Sequence, residues 1–164
     1  MALDADSERG EAVRVHEDAA MRTYISMRAG HSYVLVKRRG TPSAIDGFIL
    51  NEASEIVAMV ELKCRFRVTV ETFFSTWEGR WLVSYSKIQD GLIIGSMLHV
   101  PLVGVLNIVE SRRVYWTTLW SKEKGTSARY YVEQTKTQAT INGGEAFRPN
   151  AYIDMRGANS AAII

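Results

Sequence analysis

Three charged residues, Asp46, Glu61 and Lys63, lie within "AIDGFILNEASEIVAMVELKCRF" (44–66), a stretch that otherwise reads as buried strand. Charged groups are seldom buried unless they are paired or bind a metal, so these three either face solvent or form a site. Two carboxylates beside a lysine suit metal-dependent phosphodiester hydrolysis. Asp46 and Glu61 would hold a hard divalent cation, Mg2+ or Mn2+, which keeps several of its waters. Such an ion lowers the pKa of a bound water and neutralises charge developing on the phosphate. Lys63 would position or deprotonate that water, or stabilise the transition state as a point charge. The Leu62 backbone carbonyl, between the two charged residues of the strand, would complete the metal shell.

The elements around these residues decide whether they can meet. Ser7 offers a helix N-cap and Gly30 a stop, and between them Val13, Ala20, Tyr24 and Met27 recur at helical spacing. Glu17 falls in the middle of that stripe; it either reaches water at the stripe's edge or belongs to a site. "HSYVLVK" (31–37), "AIDGFIL" (44–50) and "EIVAMVELKCRF" (55–66) read as three strands separated by turns at 38–43 and 51–54. Asp46-Gly47 is also a hairpin-type dipeptide, but the flanking turns already supply the reversals, which places it inside a strand. Alternation along the third strand puts Val57, Met59, Glu61 and Lys63 on one face and Ala58, Val60, Leu62 and Cys64 on the other. Both faces begin apolar, so this strand is expected to be central and covered on both sides.

Residues 67–81 suggest a short helix, and "SYSKIQDGLIIGSMLHV" (84–100) a longer one carrying Lys87, Gly91, Gly95 and Leu98 on one stripe. Strands follow at 101–110 and 113–120, and 127–155 reads as a hairpin turning at "NGG" (142–144). The strand at 55–66, a crossover and the strand at 101–110 make a right-handed βαβ unit. The expectation is a single α/β domain over residues 1–164: an αβββαβ core with a mixed central sheet flanked by helices, plus a C-terminal β-hairpin.

Asp46, then Glu61-Leu62-Lys63 on the neighbouring strand, resembles the signature of the PD-(D/E)xK nuclease superfamily, with its Pro-Asp pair relaxed here to "PSAID". The α-β-β-β-α-β order is that of the superfamily's restriction-endonuclease-like core and covers roughly residues 10–110. The resemblance implies a metal-dependent nuclease acting on DNA. A glutamate in the first helix is typical of the resolvase branches, and Glu17 occupies that place, where it would support the metal directly or through water. "SYSKIQDG" resembles the helix after the ExK strand in resolvase-like and VRR-Nuc-like members, so Lys87, Gln89 and Ser86 are implied phosphate contacts. An endonuclease is implied, with branched DNA such as Holliday junctions among its expected substrates and a homodimer among its expected states. The C-terminal segment is similar to the ends of small phage-encoded nucleases. The link from Lys63 to the next helix, about twenty residues, is longer than in minimal resolvases.

Composition narrows the alternatives. Hydrophobic residues are 46% and charged residues 23% of 164, ordinary values for a globular chain. A net charge of +2 does not by itself announce a nucleic-acid binder. The single cysteine, Cys64, precludes an internal disulfide and suits a reducing compartment. No apolar run reaches membrane-spanning length, and "MALDADSERG" is too acidic for a secretory signal, so a cytoplasmic protein with no membrane partner is expected. His16, His31 and His99 lack metal-ligand spacing. Lys37, Arg38, Arg39, Arg65, Arg67, Arg80, Arg112 and Arg113 read as solvated surface, with a phosphate track as the alternative, and Trp77 or Trp81 could stack on a base. A reading of another class is a nucleic-acid-binding or assembly protein on the same fold without turnover.

Overall fold

The computed structural model of the chain describes residues 8–36, 43–126, 128–136 and 147–164. Helix α1 (Glu8–Ser26) presents Glu17, Ala20, Met21 and Tyr24 as its buried stripe. These positions are three and four apart, as one helix face requires. Met27, expected on that stripe, lies beyond the last helical turn, where the periodicity no longer applies, and is 61% exposed. The chain then turns through Gly30, whose φ of +73° suits a residue without a Cβ.

Strands β1 (Ser32–Leu35), β2 (Gly47–Leu50) and β3 (Ile56–Arg65) form an antiparallel meander. The β2–β3 turn is held by Asn51, whose side-chain oxygen accepts from the Glu55 N–H at 2.9 Å. After β3 come α2 (Val70–Ser75), capped by the Thr69 hydroxyl, then β4 (Arg80–Ser84) and α3 (Tyr85–Leu98). Strand β5 (Leu102–Ile108) pairs parallel with β3, from Met59 opposite Leu102 to Arg65 opposite Ile108. A single 3-10 turn leads to β6 (Arg113–Ser121), antiparallel to β5. There follow β7 (Gly125–Thr126), β8 (Tyr130–Lys136), β9 (Phe147–Asp154) and β10 (Asn159–Ala162).

The larger sheet runs β1-β2-β3-β5-β6-β10, with β7 beside β6, and is mixed; a smaller sheet runs β4-β9-β8. Alternation along the central strands sorts the core into two halves. Ala58, Val60 and Leu62 pack with Val103, Val105 and Trp116 beneath Ala20, Met21 and Tyr24 of α1. On the other face Met59, Leu102 and Leu106 pack with Ile88 of α3, Trp81 and Val83 of β4, and Ile153 of β9. Covering both faces explains why β5 is buried along its whole length.

The fold is mixed α/β with a mixed sheet, as expected, but its order is α-β-β-β-α-β-α-β, because α2 and β4 precede α3 and β5. Two features differ from the reading of the sequence. The C-terminal hairpin is not an appendage, because β9 pairs with β4 as well as with β8 and so builds a second sheet. Strand β4 went unread because it runs straight into α3 without a turn residue, and only Trp81 and Val83 alternate inward. The "NGG" segment and Ser7 lie outside the described residues. Among the described residues no helix is long and apolar enough to cross a membrane.

Candidate active site

Asp46 does not sit at a hairpin tip. Its N–H donates to the Val60 carbonyl at 3.0 Å and its carbonyl accepts from the Val36 N–H at 2.9 Å, so it bridges both neighbours from a bend immediately before β2 and not, as the sequence suggested, from inside the strand, where N–H and C=O would share one edge. Gly47 begins β2 opposite Val60, and Asp46, one residue earlier, meets the same Lys87 ammonium as Glu61, which puts both side chains on one face of the sheet. That face is the one covered by α3. The expected convergence of Asp46 and Glu61 is therefore observed, but in the middle of β3 and not at its end.

Both carboxylates meet one cation. Lys87 Nζ donates to Asp46 Oδ1 at 2.8 Å and to Glu61 Oε2 at 2.9 Å. The second Asp46 oxygen, Oδ2, accepts from the Leu62 N–H at 2.8 Å. Asp46 and Glu61 are 1% and 6% exposed, so charges here are poorly screened. Burial, and then the Asp46 charge, push the Glu61 carboxyl up to about 7 against the opposing pull of Lys87. Burial alone would lower the Lys87 ammonium, but Glu61 and Asp46 outweigh it and hold it above its ordinary value. Near neutral pH the cluster thus holds a charged Lys87 and a Glu61 close to its titration point.

The small residues of α3 make this contact attainable. A Cβ on Gly95 would lie 2.8 Å from the Val100 carbonyl oxygen and 2.9 Å from Met59 Cε, and one on Gly91 would lie 2.6 Å from Leu102 Cδ2. The helix therefore rests directly on the sheet, and its first turn delivers Lys87 to the carboxylates.

The other candidates are placed differently. Lys63 follows Glu61 on the same face of β3 and is exposed. Ser86 and Gln89 are exposed on α3 and donate to none of the cluster's groups. Glu17 is buried as its stripe demands, but on α1, against the face opposite to the one Asp46 and Glu61 use. Among the described residues no three His, Cys, Asp or Glu side chains gather closely enough to hold a metal, so Glu17 does not join the pair. The reason is strand alternation: α1 covers Ala58, Val60 and Leu62, the out-of-phase residues of β3. Trp81 is fully buried in the core, which removes it as a stacking platform, and Cys64 is buried as expected. Pro42, Lys37, Arg38 and Arg39 lie outside the described residues. Arg65, read as surface, is in fact partly buried on the site's face; continuing the alternation two residues past Lys63 would have found it.

The donor set fits a hard divalent cation. Two carboxylate oxygens already converge on one positive centre, and water would fill the remaining positions. A residue's N–H and C=O leave a strand on the same edge, so the Leu62 carbonyl shares the edge on which its N–H meets Asp46. Lys87 holds the point that such an ion would share, so its ammonium must yield for an ion to enter. No protein-family model matches the chain, and no curated protein matches it.

Proposed function

We propose that the chain is a divalent-metal-dependent nuclease of the PD-(D/E)xK type that hydrolyses phosphodiester bonds in DNA. One observation carries the proposal: Asp46, from the bend before β2, and Glu61, on the central strand β3, aim their carboxylates at one point. The α1-β1-β2-β3 start, the parallel β3–β5 pair joined through α3, and the exposed Lys63 on the same face support it. Asp46, Glu61 and the Leu62 carbonyl would hold Mg2+ or Mn2+. When bound, the ion supplies an acidified water and charge neutralisation at the phosphate. Lys63 orients or deprotonates the attacking water, or stabilises charge on the phosphoryl oxygens from its exposed position. Lys87, displaced from the carboxylates, keeps its ammonium at the same mouth and docks a phosphate. Ser86 and Gln89, exposed beside it on α3, extend that contact along the backbone.

The experiment is cleavage of single-stranded, duplex and four-way-junction DNA by purified protein with Mg2+ or Mn2+. Metal-dependent cleavage that Glu61→Gln abolishes is the expected result. Faster cleavage of the junction would extend the proposal to branched DNA, and sedimentation of the same protein tests a homodimer. A second reading is favoured by the completeness of the ion cluster, since Lys87 satisfies both carboxylates without a metal. In that reading the cluster is structural and the protein binds nucleic acid or assembles with partners without turnover. DNA binding without cleavage under any of these conditions would select it.

A further inference from the structure

The face that carries Glu61 and Lys63 continues to Arg65, the last residue of β3. At about 3.3 Å per residue, Arg65 stands roughly 7 Å beyond Lys63 and 13 Å beyond Glu61 along the strand. Its Nε is shut from solvent and has no hydrogen-bond partner. Among the described residues it is the only buried atom of a charged side chain in that state. Lys87, the cation at the carboxylate pair, has Asp46 and Glu61, and Arg80 and Arg156 have Glu78 and Asp154. Burial draws the Arg65 pKa down, and among the described residues no carboxylate offsets it. A buried guanidinium N–H without an acceptor is costly, and a protein that retains one leaves a donor on a positive group pre-set for an anion. Across the strand pair lies Ile108, fully buried and apolar, so an anion arriving there would meet a poorly screened charge. Arg65 as a whole keeps partial exposure, which leaves an approach.

We propose that Arg65 is a phosphate seat, placed to hold a backbone phosphate next to the one at the Asp46–Glu61 pair. The planar guanidinium takes phosphate oxygens through parallel N–H donors, including the Nε–H that now lacks a partner. In choosing a nucleic-acid phosphate this inference rests on the proposed function; the anion seat itself does not.

The test uses two probes on the full chain, the parent, Arg65→Met and Arg65→Gln, in the presence of a chelator. Inorganic phosphate, compared with sodium chloride at equal ionic strength, should raise the parent's melting temperature more than that of either variant. A labelled oligothymidylate should bind the parent, and each variant at least about tenfold more weakly. Its salt slope should be shallower by about 0.7 in the variants, as one lost contact to a single strand requires. Arg65→Met should melt no lower than the parent without ligand, because it removes a buried N–H that lacks an acceptor while keeping the apolar stem. If Arg65→Met fails to fold, Arg65→Gln carries the comparison. Equal responses of parent and variants to both probes would overturn the seat, whatever the cleavage assay gives. A phosphate response that depends on Arg65, in a protein that binds no oligonucleotide, would keep the seat and overturn the nucleic-acid ligand.

Discussion

Lys87 Nζ stands 2.9 Å from Glu61 Oε2, reaching from the first turn of α3 onto β3, and the same ammonium lies 2.8 Å from Asp46. One monovalent cation thus balances two buried carboxylates. A divalent ion entering between them competes with it directly. The competition gives Lys87 two separable effects, on stability without metal and on affinity for metal.

Removing Lys87 leaves two carboxylates buried beside each other. Breaking a buried pair from one side costs about 3–5 kcal/mol. Lys87→Ala should therefore lower the denaturation midpoint in chelator at pH 8, and millimolar Mg2+ should recover more stability in the variant than in the parent. Equal Mg2+ responses, measured by thermal melting, would mean that Lys87 and the cation do not share a position.

The raised Glu61 carboxyl sets a pH dependence whose sign can be worked out. Its folded value of about 7 exceeds the ordinary 4.5, so the folded state binds this proton more tightly. The penalty for ionising Glu61 is absent below pH 4.5 and complete above pH 7, so this group's contribution to stability falls as pH rises through that window. At about 1.4 kcal/mol per unit the loss is on the order of 3 kcal/mol. Lys87, raised above 10.5, stays charged throughout and loses its contribution only at more alkaline pH. Glu61→Gln should flatten the slope between pH 4.5 and 7 in urea melts run with chelator. A variant with the parental slope would place the titration elsewhere.

The glycines of α3 offer a purely structural test. A Cβ on Gly95 would strike the Val100 carbonyl oxygen at 2.8 Å, and backbone cannot step aside. Gly95→Ala should destabilise by about 1–3 kcal/mol, as overpacking does. At Gly91 the nearest obstacle is the Leu102 side-chain methyl at 2.6 Å, which can rotate. There the gain of helix propensity, up to about 1 kcal/mol, offsets the crowding, and Gly91→Ala should be near neutral. Denaturant midpoints for the two variants decide the matter; equal values would mean that α3 does not rest on the sheet as described.

The parts of this structure that were legible in the sequence share one property: they follow from period. The alternation of β3 placed Glu61 with Lys63, and the spacing of Lys87, Gly91 and Gly95 placed the lysine on the sheet-facing side of α3. What period alone could not supply was which face each neighbouring element covers. The stripe left Glu17 open between water and a site; it is buried, but nothing local says that α1 covers the Leu62 side of β3 and not the Glu61 side. Strand β4 escaped because its inward pair, Trp81 and Val83, is too short a pattern beside a helix that begins at Tyr85. Its partner β9 lies some seventy residues away, and no local signal encodes such pairing.

Asp46 serves two groups with its two oxygens, the Lys87 ammonium and the Leu62 N–H, and substitutions can separate these roles. Asparagine keeps the size and one acceptor oxygen but gives up the negative charge. Asp46→Asn should therefore lose cleavage while melting close to the parent, and should bind DNA as well or better because a negative charge has left a phosphate site. Asp46→Ala leaves the buried Leu62 N–H without its acceptor as well, which costs about 1–3 kcal/mol. It should lose cleavage and melt lower than Asp46→Asn. Nuclease assays with Mg2+ and thermal melts of both variants provide the check. An Asp46→Asn protein that cleaves at the parental rate would remove Asp46 from the metal site. An Asp46→Ala protein as stable as Asp46→Asn would mean that the bond to Leu62 contributes nothing to the fold.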